Sequence, residues 1–576
     1  MTVACRTQWH WWRSLLVCAC WVLGSLPLSA RDSSDVVLTA LTTELARWQT
    51  ALATAKPPAY FIGYWVYDQQ VMVLSAENGA LETATCTHRR LLDVSVRVGS
   101  YQLDNTHILR GSSAIQFGRG TSSVPLPLDG DAEALRQVIW LATDRTYKAA
   151  LERYEKVLTN RAVKVREEDS SADFSPALPQ RTYERAIPLP CDTAQWATRI
   201  RRLSALLLGQ PHVLGGDVTL RAEVERRYFV TSEGTALVTT EPQWRITISA
   251  RTKADDGMIL PLYRTYLARS PERLPSQDSL ERDVEDLVAL LAQLRTAPVL
   301  DSYAGPALLS GRAAGVFFHE IFGHRAEGHR IKDPSSSQTL KPFVGKQLLP
   351  SFLDVVFDPT IDRYAGVELA GTYRFDDEGV PAQRVVSVEG GIFRNFLMCR
   401  SPIEGFPASN GHGRKQAGYA PVARQSNLLV LAREHVPFDS LKEMLRAACR
   451  REGKPYGLYF VDIVGGFTFT SRTIPNAFTV QPLVVYKVFA DGSPDELIRG
   501  VDFIGTPLAT FANIVAASDE VGVFNGICGA ESGNVPVSAC APALLVSKIE
   551  VQKKAKSESK PPLLPPPVPT TGEVAP

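Results

Sequence analysis

Neither sign of charge dominates this chain. Its 62 Lys and Arg stand against 61 Asp and Glu, a formal net charge of +1 at pH 7. There is no basic surplus to hold a polyanion, so nucleic-acid binding driven by net charge is not expected. Cysteine is scarce: nine in 576 residues, with Cys5, Cys18 and Cys20 already inside the first 30. The other six are too sparse for a disulfide scaffold. One or two bridges are compatible with an oxidising compartment, but their pairing cannot be read from sequence. No apolar run approaches the roughly 20 residues of a bilayer span. Collagen-like and coiled-coil compositions are also absent. What is present, 45% hydrophobic residues and 9% aromatics, rules out global disorder and is ample for several cores.

The first 30 residues read as a secretory signal. Arg6 and Arg13 precede an uncharged apolar stretch over 14–26, Pro27 breaks it, and Leu28-Ser29-Ala30 offers a small-residue cleavage site. The expectation is an extracytoplasmic protein, periplasmic or secreted, with no integral membrane span after cleavage. Apolar spacing of three and four predicts helices near 35–55, 132–158 and 280–294, the last with Asp278 and Glu281 as a capping box. Strand-like runs lie between them, at 60–66, 71–74, 94–98 and 218–250. The polar stretch 167–179 reads as an exposed loop. Pro298 marks a boundary, and 299–552 is richer in glycine and strand signals. The fold expected is α+β in two domains: a mixed N-terminal domain over 31–298 and a β-rich one over 299–552. A proline-rich tail over 553–576 is expected to be disordered.

One segment speaks of chemistry: His319-Glu320-Ile-Phe-Gly-His324, followed by Glu327 and His329. Neutral imidazoles are good zinc ligands, and a carboxylate beside the metal can take a proton from a water held there. The familiar zinc helix spaces its histidines four apart; here they are five apart. Five residues at about 100° each leave the two side chains about 140° apart around an ideal helix. They meet at one ion only if the turn widens to i→i+5 bonding, and Gly323 stands where such distortion is cheapest. The spacing therefore predicts an irregular turn between Glu320 and His324. His329 and Cys540 are candidates for a third ligand, and Glu327 either orients a ligand histidine or faces water.

The run 316–328 resembles the metal-binding segment of the TldD/PmbA family of metallopeptidases, whose active members carry HExxxH. Further pieces follow in the family's order: Phe375-Asp376-Asp377-Glu378-Gly379, Asn410-Gly411-His412-Gly413-Arg414, Arg424-Gln425-Ser426-Asn427, Gly465-Gly466 and Gly526-Ile527-Cys528-Gly529. The resemblance spans about 300–552. It implies a zinc ion held by His319, His324 and Cys528, with Cys528 in a Gly-x-Cys-Gly turn and Glu320 as general base for peptide-bond hydrolysis. It also implies Arg414, Arg424 and Asn427 beside the peptide, and a peptide or unfolded polypeptide as substrate. The strand at 467–470 would accept that peptide by strand addition, and His412 would face substrate or solvent. A homodimer, or a heterodimer with a family relative, is expected. Descriptions of the family as DNA-gyrase modulators fit an exported chain poorly. Rival readings are a non-catalytic extracytoplasmic binding or assembly protein with structural zinc, and a zinc hydrolase of a non-protein amide.

Overall fold

The computed structural model describes residues 35–109, 123–162, 169–190, 192–468, 470, 478–554, 560–562, 564 and 567. The expected signal at 1–30 and most of the proline-rich tail lie outside the described residues. Among the described residues, no helix is long and apolar enough to cross a membrane.

Helix α1 (Val36–Leu52) starts where Asp35 accepts a hydrogen bond from the Leu38 amide at 3.1 Å. Two long strands, β1 (Ala59–Glu77) and β2 (Ala80–Val98), then form a hairpin through Asn78-Gly79, both at positive φ, as a tight two-residue turn requires. After α2 (Ala132–Ala162) and α3 (Thr193–Ala205) come β3 (Gly215–Thr231), β4 (Ala236–Lys253) and β5 (Ile259–Ala268). The sheet runs β2-β1-β3-β4-β5, antiparallel throughout this series. Alternate residues explain why the first half of β1, 59–67, is apolar without interruption. Tyr64 and Val66 pack beneath α1 and α2, whereas Trp65 and Tyr67 face the second domain. With both faces covered, the period-2 pattern disappears.

Two sequence expectations are corrected here. Helix α4 (Gln277–Thr296) is capped by Ser276, whose Oγ accepts from the Ser279 amide, and Glu281 pairs with Arg202. The polar stretch 167–179 is not an exposed loop over its described part, because Asp173, Phe174 and Ser175 are buried. Phe174 packs edge-on to Phe61, and Arg400 of the second domain lies 3.9 Å over its ring. Apolar burial of one ring outweighs the polar composition around it.

The second domain begins with β6 (Ser302–Leu309), followed directly by helix α5 (Gly311–Phe318). Beyond β7 (Leu353–Phe357), β8 (Asn427–Ala432) and α6 (Phe438–Arg451) come β9 (Tyr456–Thr468), β10 (Phe478–Phe489) and β11 (Val501–Gly505). A long hairpin of β12 (Ile514–Ala530) and β13 (Gly533–Lys553) ends the domain. Strand β13 pairs with β11, β11 with β10, β10 with β9, β9 with β6, and β6 with β13 again. That ring of pairings wraps a core in which Phe317 of α5 stacks on Phe503. The helix is thereby fixed against β9, β12 and β13. The architecture is α+β in two domains, with sheets dominating.

Candidate metal centre

Helix α5 is seated by Ser310, whose Oγ accepts from the Ala313 amide at 3.1 Å and donates to the Val461 carbonyl at 2.7 Å. Phe317, Phe318, Ile321 and Phe322 are fully buried, so the apolar side of the segment is anchored. The chain then widens into a π-helical turn over His319–Gly323. This is the irregularity that the five-residue spacing predicts. It brings the imidazoles of His319 and His324 to one side, their centroids 5.0 Å apart and their planes at 78°. Gln425 fills the bulge: its Nε2 donates to the His319 carbonyl at 3.2 Å. A Cβ on residue 323 would sit 1.9 Å from Gln425 Oε1, so only glycine fits there.

Cys528 reaches the same place from the other end of the chain. Its Sγ is 3.4 Å from His324 Nε2. One ligand atom from each of His319, His324 and Cys528 lies within 4.8 Å of the others. Ligands of one tetrahedral zinc sit about 3.5 Å apart, so the three atoms can converge on a single ion. Cys528 lies on strand β12, opposite Val535 of β13, and not in a turn. Burial pushes its thiol pKa up, but the His324 and His319 rings outweigh this and hold it well below the ordinary value. A buried thiolate with two imidazoles is a donor set suited to zinc. Among the described residues this group numbers three, whereas a closed structural site needs four.

Glu327 is fully buried behind His324, with Oε2 3.2 Å from Nδ1 of that ring. Arg330 donates to the same carboxylate at 2.8 and 3.0 Å. Burial alone would raise the Glu327 pKa, but His324 and Arg330 draw it down to about 2. Glu327 is therefore an ionised acceptor that fixes the ring's second nitrogen and leaves Nε2 for the metal side. Glu320 lies on the π turn, nearly buried, with strand β9 against it; a Cβ on Gly466 would sit 2.5 Å from Glu320 Cγ.

Arg414, Arg424 and Asn427 are elsewhere than the sequence places them. All three are buried and committed to the protein itself. Arg414 donates to the Gln425 and Pro536 carbonyls, both at 2.7 Å. Arg424 donates to the Cys528 carbonyl at 2.7 Å and to Gly533 O and Ser532 Oγ at 2.9 Å. Asn427 Nδ2 donates to Asp358 O, Ile361 O and Thr372 Oγ1 at 3.0 Å each. They hold the loops and the hairpin that carry the candidate ligands. His412 likewise does not face solvent, being enclosed between the Asn410 carbonyl and Ser426 Oγ. Cys540 is packed among Val356, Leu369 and Leu429, its thiol pKa pushed up to about 12 by burial. His329 pairs with Glu531 at 3.4 Å. The Arg330 guanidinium bridges Glu531 and Glu327 there, so a cation has no welcome beside it. The pairings of Gln425 with His319 and of Arg330 with Glu531 escape sequence reading because no local pattern marks a partner that lies far along the chain.

Residues 302–553 match the PmbA/TldA metallopeptidase C-terminal domain. A metalloprotease of Archaeoglobus fulgidus is 29% identical over 268 residues, 46% of this chain and 58% of the relative. A zinc metalloprotease TldD homolog of Saccharolobus solfataricus is 27% identical over 293 residues, 49% of this chain and 60% of the relative. The matched part thus spans less than two thirds of either relative. The crystal structure of TldE from Thermococcus kodakarensis overlays on 89% of this chain and all of its own, with a TM-score of 0.59 at 14% identity, which is a likeness of fold. The two histidines, the glutamate and the distant cysteine all lie within the part of the chain that matches the PmbA/TldA metallopeptidase C-terminal domain.

Proposed function

We propose that this chain is a zinc-dependent metallopeptidase that hydrolyses peptide bonds. The observation that carries the reading is the convergence of His319, His324 and Cys528, residues 204 apart in sequence at the His324–Cys528 contact. The names of the relatives from A. fulgidus and S. solfataricus support it. The two imidazoles and the thiolate would hold the zinc, which when bound supplies Lewis acidity toward a carbonyl and toward water. Glu320 accepts the proton of the attacking water and passes it to the leaving amine. Glu327 keeps the His324 ring in the tautomer that presents Nε2. Arg424 ties the Cys528 strand to the loop that bears Gln425, and Gln425 braces the widened turn.

The test compares the parent with Glu320→Gln for zinc content and cleavage of an unstructured polypeptide. Zinc near one per chain in both, with cleavage lowered at least about 100-fold in the variant, is expected. Equal cleavage removes Glu320 from the mechanism, and a parent without zinc removes the metal centre. The reading includes an extracytoplasmic place of work, supported by the signal-like residues 1–30 and checked by cell fractionation. It includes a pairing with a second copy or a relative, supported by the family resemblance and checked by light scattering on the purified chain.

A further inference from the structure

Strand β9 does not pair evenly with β10. Its register slips around Asp462 and Gly465, so that Val461 and Val464 of β9 stand opposite no residue of β10. Pro482 of β10, opposite Ile463, has no N–H to give to β9. Bulges of this kind re-aim a strand and are common beside functional sites. Here the stretch that follows them is Gly465-Gly466, and Gly466 lies against Glu320. A Cβ on Gly466 would come within 2.5 Å of Glu320 Cγ and 3.1 Å of its Oε1.

Side chains from outside the sheet hold the bulged residues. The Val461 carbonyl accepts from Ser310 Oγ, which also caps α5. The Val464 carbonyl accepts from the hydroxyl of Tyr263 at 3.1 Å, and Tyr263 belongs to β5 of the first domain. Asp462 Oδ1 accepts from the Ile463 amide at 2.9 Å and from Arg312 Nε at 2.6 Å. Arg312 reaches further, with Nη2 donating to Tyr263 Oη at 3.4 Å and Nη1 to the Val523 carbonyl of β12 at 3.5 Å. Arg312 stands in the first turn of α5, the helix that leads into His319 and Glu320, and β12 is the strand that carries Cys528. One guanidinium therefore joins the three segments of the metal centre to each other and to the first domain.

We propose that Tyr263 and Arg312 are positioning residues for Glu320: they fix the bulged stretch of β9, and through Gly466 that strand sets where the carboxylate rests. A glutamate has several free torsions, and a general base displaced by about 1 Å can cost about 100-fold in rate. A backbone wall held on both sides of its bulge removes that freedom. The hydroxyl that holds it comes from the first domain, whose apolar cluster also takes in Val484 of β10 with Val461 packed against it. Docking of the first domain is thus a condition for Glu320 to be in place. This inference rests on the peptidase reading and adds to it what the first domain does for the reaction.

The experiment uses the full zinc-loaded chain and an internally quenched, unstructured decapeptide, with kcat and KM measured separately. Tyr263→Phe removes only the hydroxyl. It is expected to lower kcat about 5- to 10-fold, the worth of one hydrogen bond, with KM within about 2-fold of the parent and zinc content unchanged. Arg312→Lys keeps a cation for Asp462 but lacks the fork that also reaches Tyr263 and Val523, and is expected to lower kcat by a similar factor. Each substitution is then repeated on Glu320→Gln. With no carboxylate left to position, Tyr263→Phe is expected to leave the residual cleavage of that background unchanged. A parental kcat in Tyr263→Phe overturns the proposal, whatever happens to the melting temperature. An equal loss in both backgrounds also overturns it, because the hydroxyl then acts otherwise than through Glu320, as does a loss of zinc. Should Tyr263→Phe fail to fold, a parental kcat in Arg312→Lys overturns it instead. A parent that holds zinc and cleaves no peptide overturns the peptidase reading itself and this inference with it.

Discussion

His324 is held from two sides, by Glu327 at Nδ1 and by Cys528 facing Nε2. A carboxylate that locks the outer nitrogen of a ligand histidine typically matters 10- to 100-fold in metal affinity. Glu327→Gln is therefore expected to weaken zinc binding by about that factor, read by competition with a chromogenic chelator. Arg424 is a second residue whose worth lies in burial. Its guanidinium is fully enclosed and satisfies the carbonyls of Cys528 and Gly533. Arg424→Met leaves those carbonyls unpaired and removes one of the two guanidiniums beside Glu327, and a cost of about 3–5 kcal/mol is expected in urea denaturation. His412 gives a pH signature. Burial pushes its pKa down from 6.5 to about 3, the Asn410 carbonyl opposing and Arg414 assisting. Between those values the unfolded chain binds a proton that the folded one refuses. Stability from this group is complete above about pH 6.5 and declines as pH falls toward 3. Urea denaturation at pH 4.5 and 7 is expected to show a pH slope that shrinks by about one proton in His412→Asn.

At the scale of elements, the π turn was legible because its cause is local. Five-residue spacing of two residues that must meet, with a glycine between them, admits few backbone solutions. The position of Cys528 was legible only through the family resemblance, since strand pairing brings it to His324 and no short pattern encodes that pairing. Arg414, Arg424 and Asn427, expected beside a peptide, are enclosed and bonded to the protein's own groups. An arginine in a glycine-rich loop has the same composition whether it faces solvent or caps buried carbonyls, and burial alone decides. Strand β9 lies on Glu320 through Gly466, where a methyl group would come within 2.5 Å of Cγ. Gly466→Ala is expected to shift that carboxylate and lower peptide cleavage about 10- to 100-fold while zinc content stays at the parental level. Loss of zinc together with activity would point to collapse of the turn instead.

Across the whole molecule, the two domains are stapled by buried polar contacts. Arg400 donates to the Ser175 carbonyl and to Glu233, both at 2.6 Å, with its guanidinium over Phe174. Lys415 Nζ lies 2.5 Å from Asp93 and 4.2 Å from the Trp65 ring. The Trp65 indole donates to the Asp377 carbonyl at 2.6 Å. Breaking such a buried pair costs about 3–5 kcal/mol. Arg400→Ala is accordingly expected to lower thermal stability and to separate calorimetric unfolding into two transitions, whereas the parent unfolds in one. A single unchanged transition would show that the contact does not couple the domains.

The sequence by itself determined what depends on neighbours in the chain: helix stripes, the widened turn and the residue types suited to zinc. These follow from backbone geometry over a few residues, which spacing and side-chain chemistry express directly. Only the tertiary structure decided which thiol meets the histidines, which arginines are enclosed, and that Phe174 fills the seam between domains. Those outcomes depend on which surfaces lose water to one another, and that is a property of the packed chain as a whole.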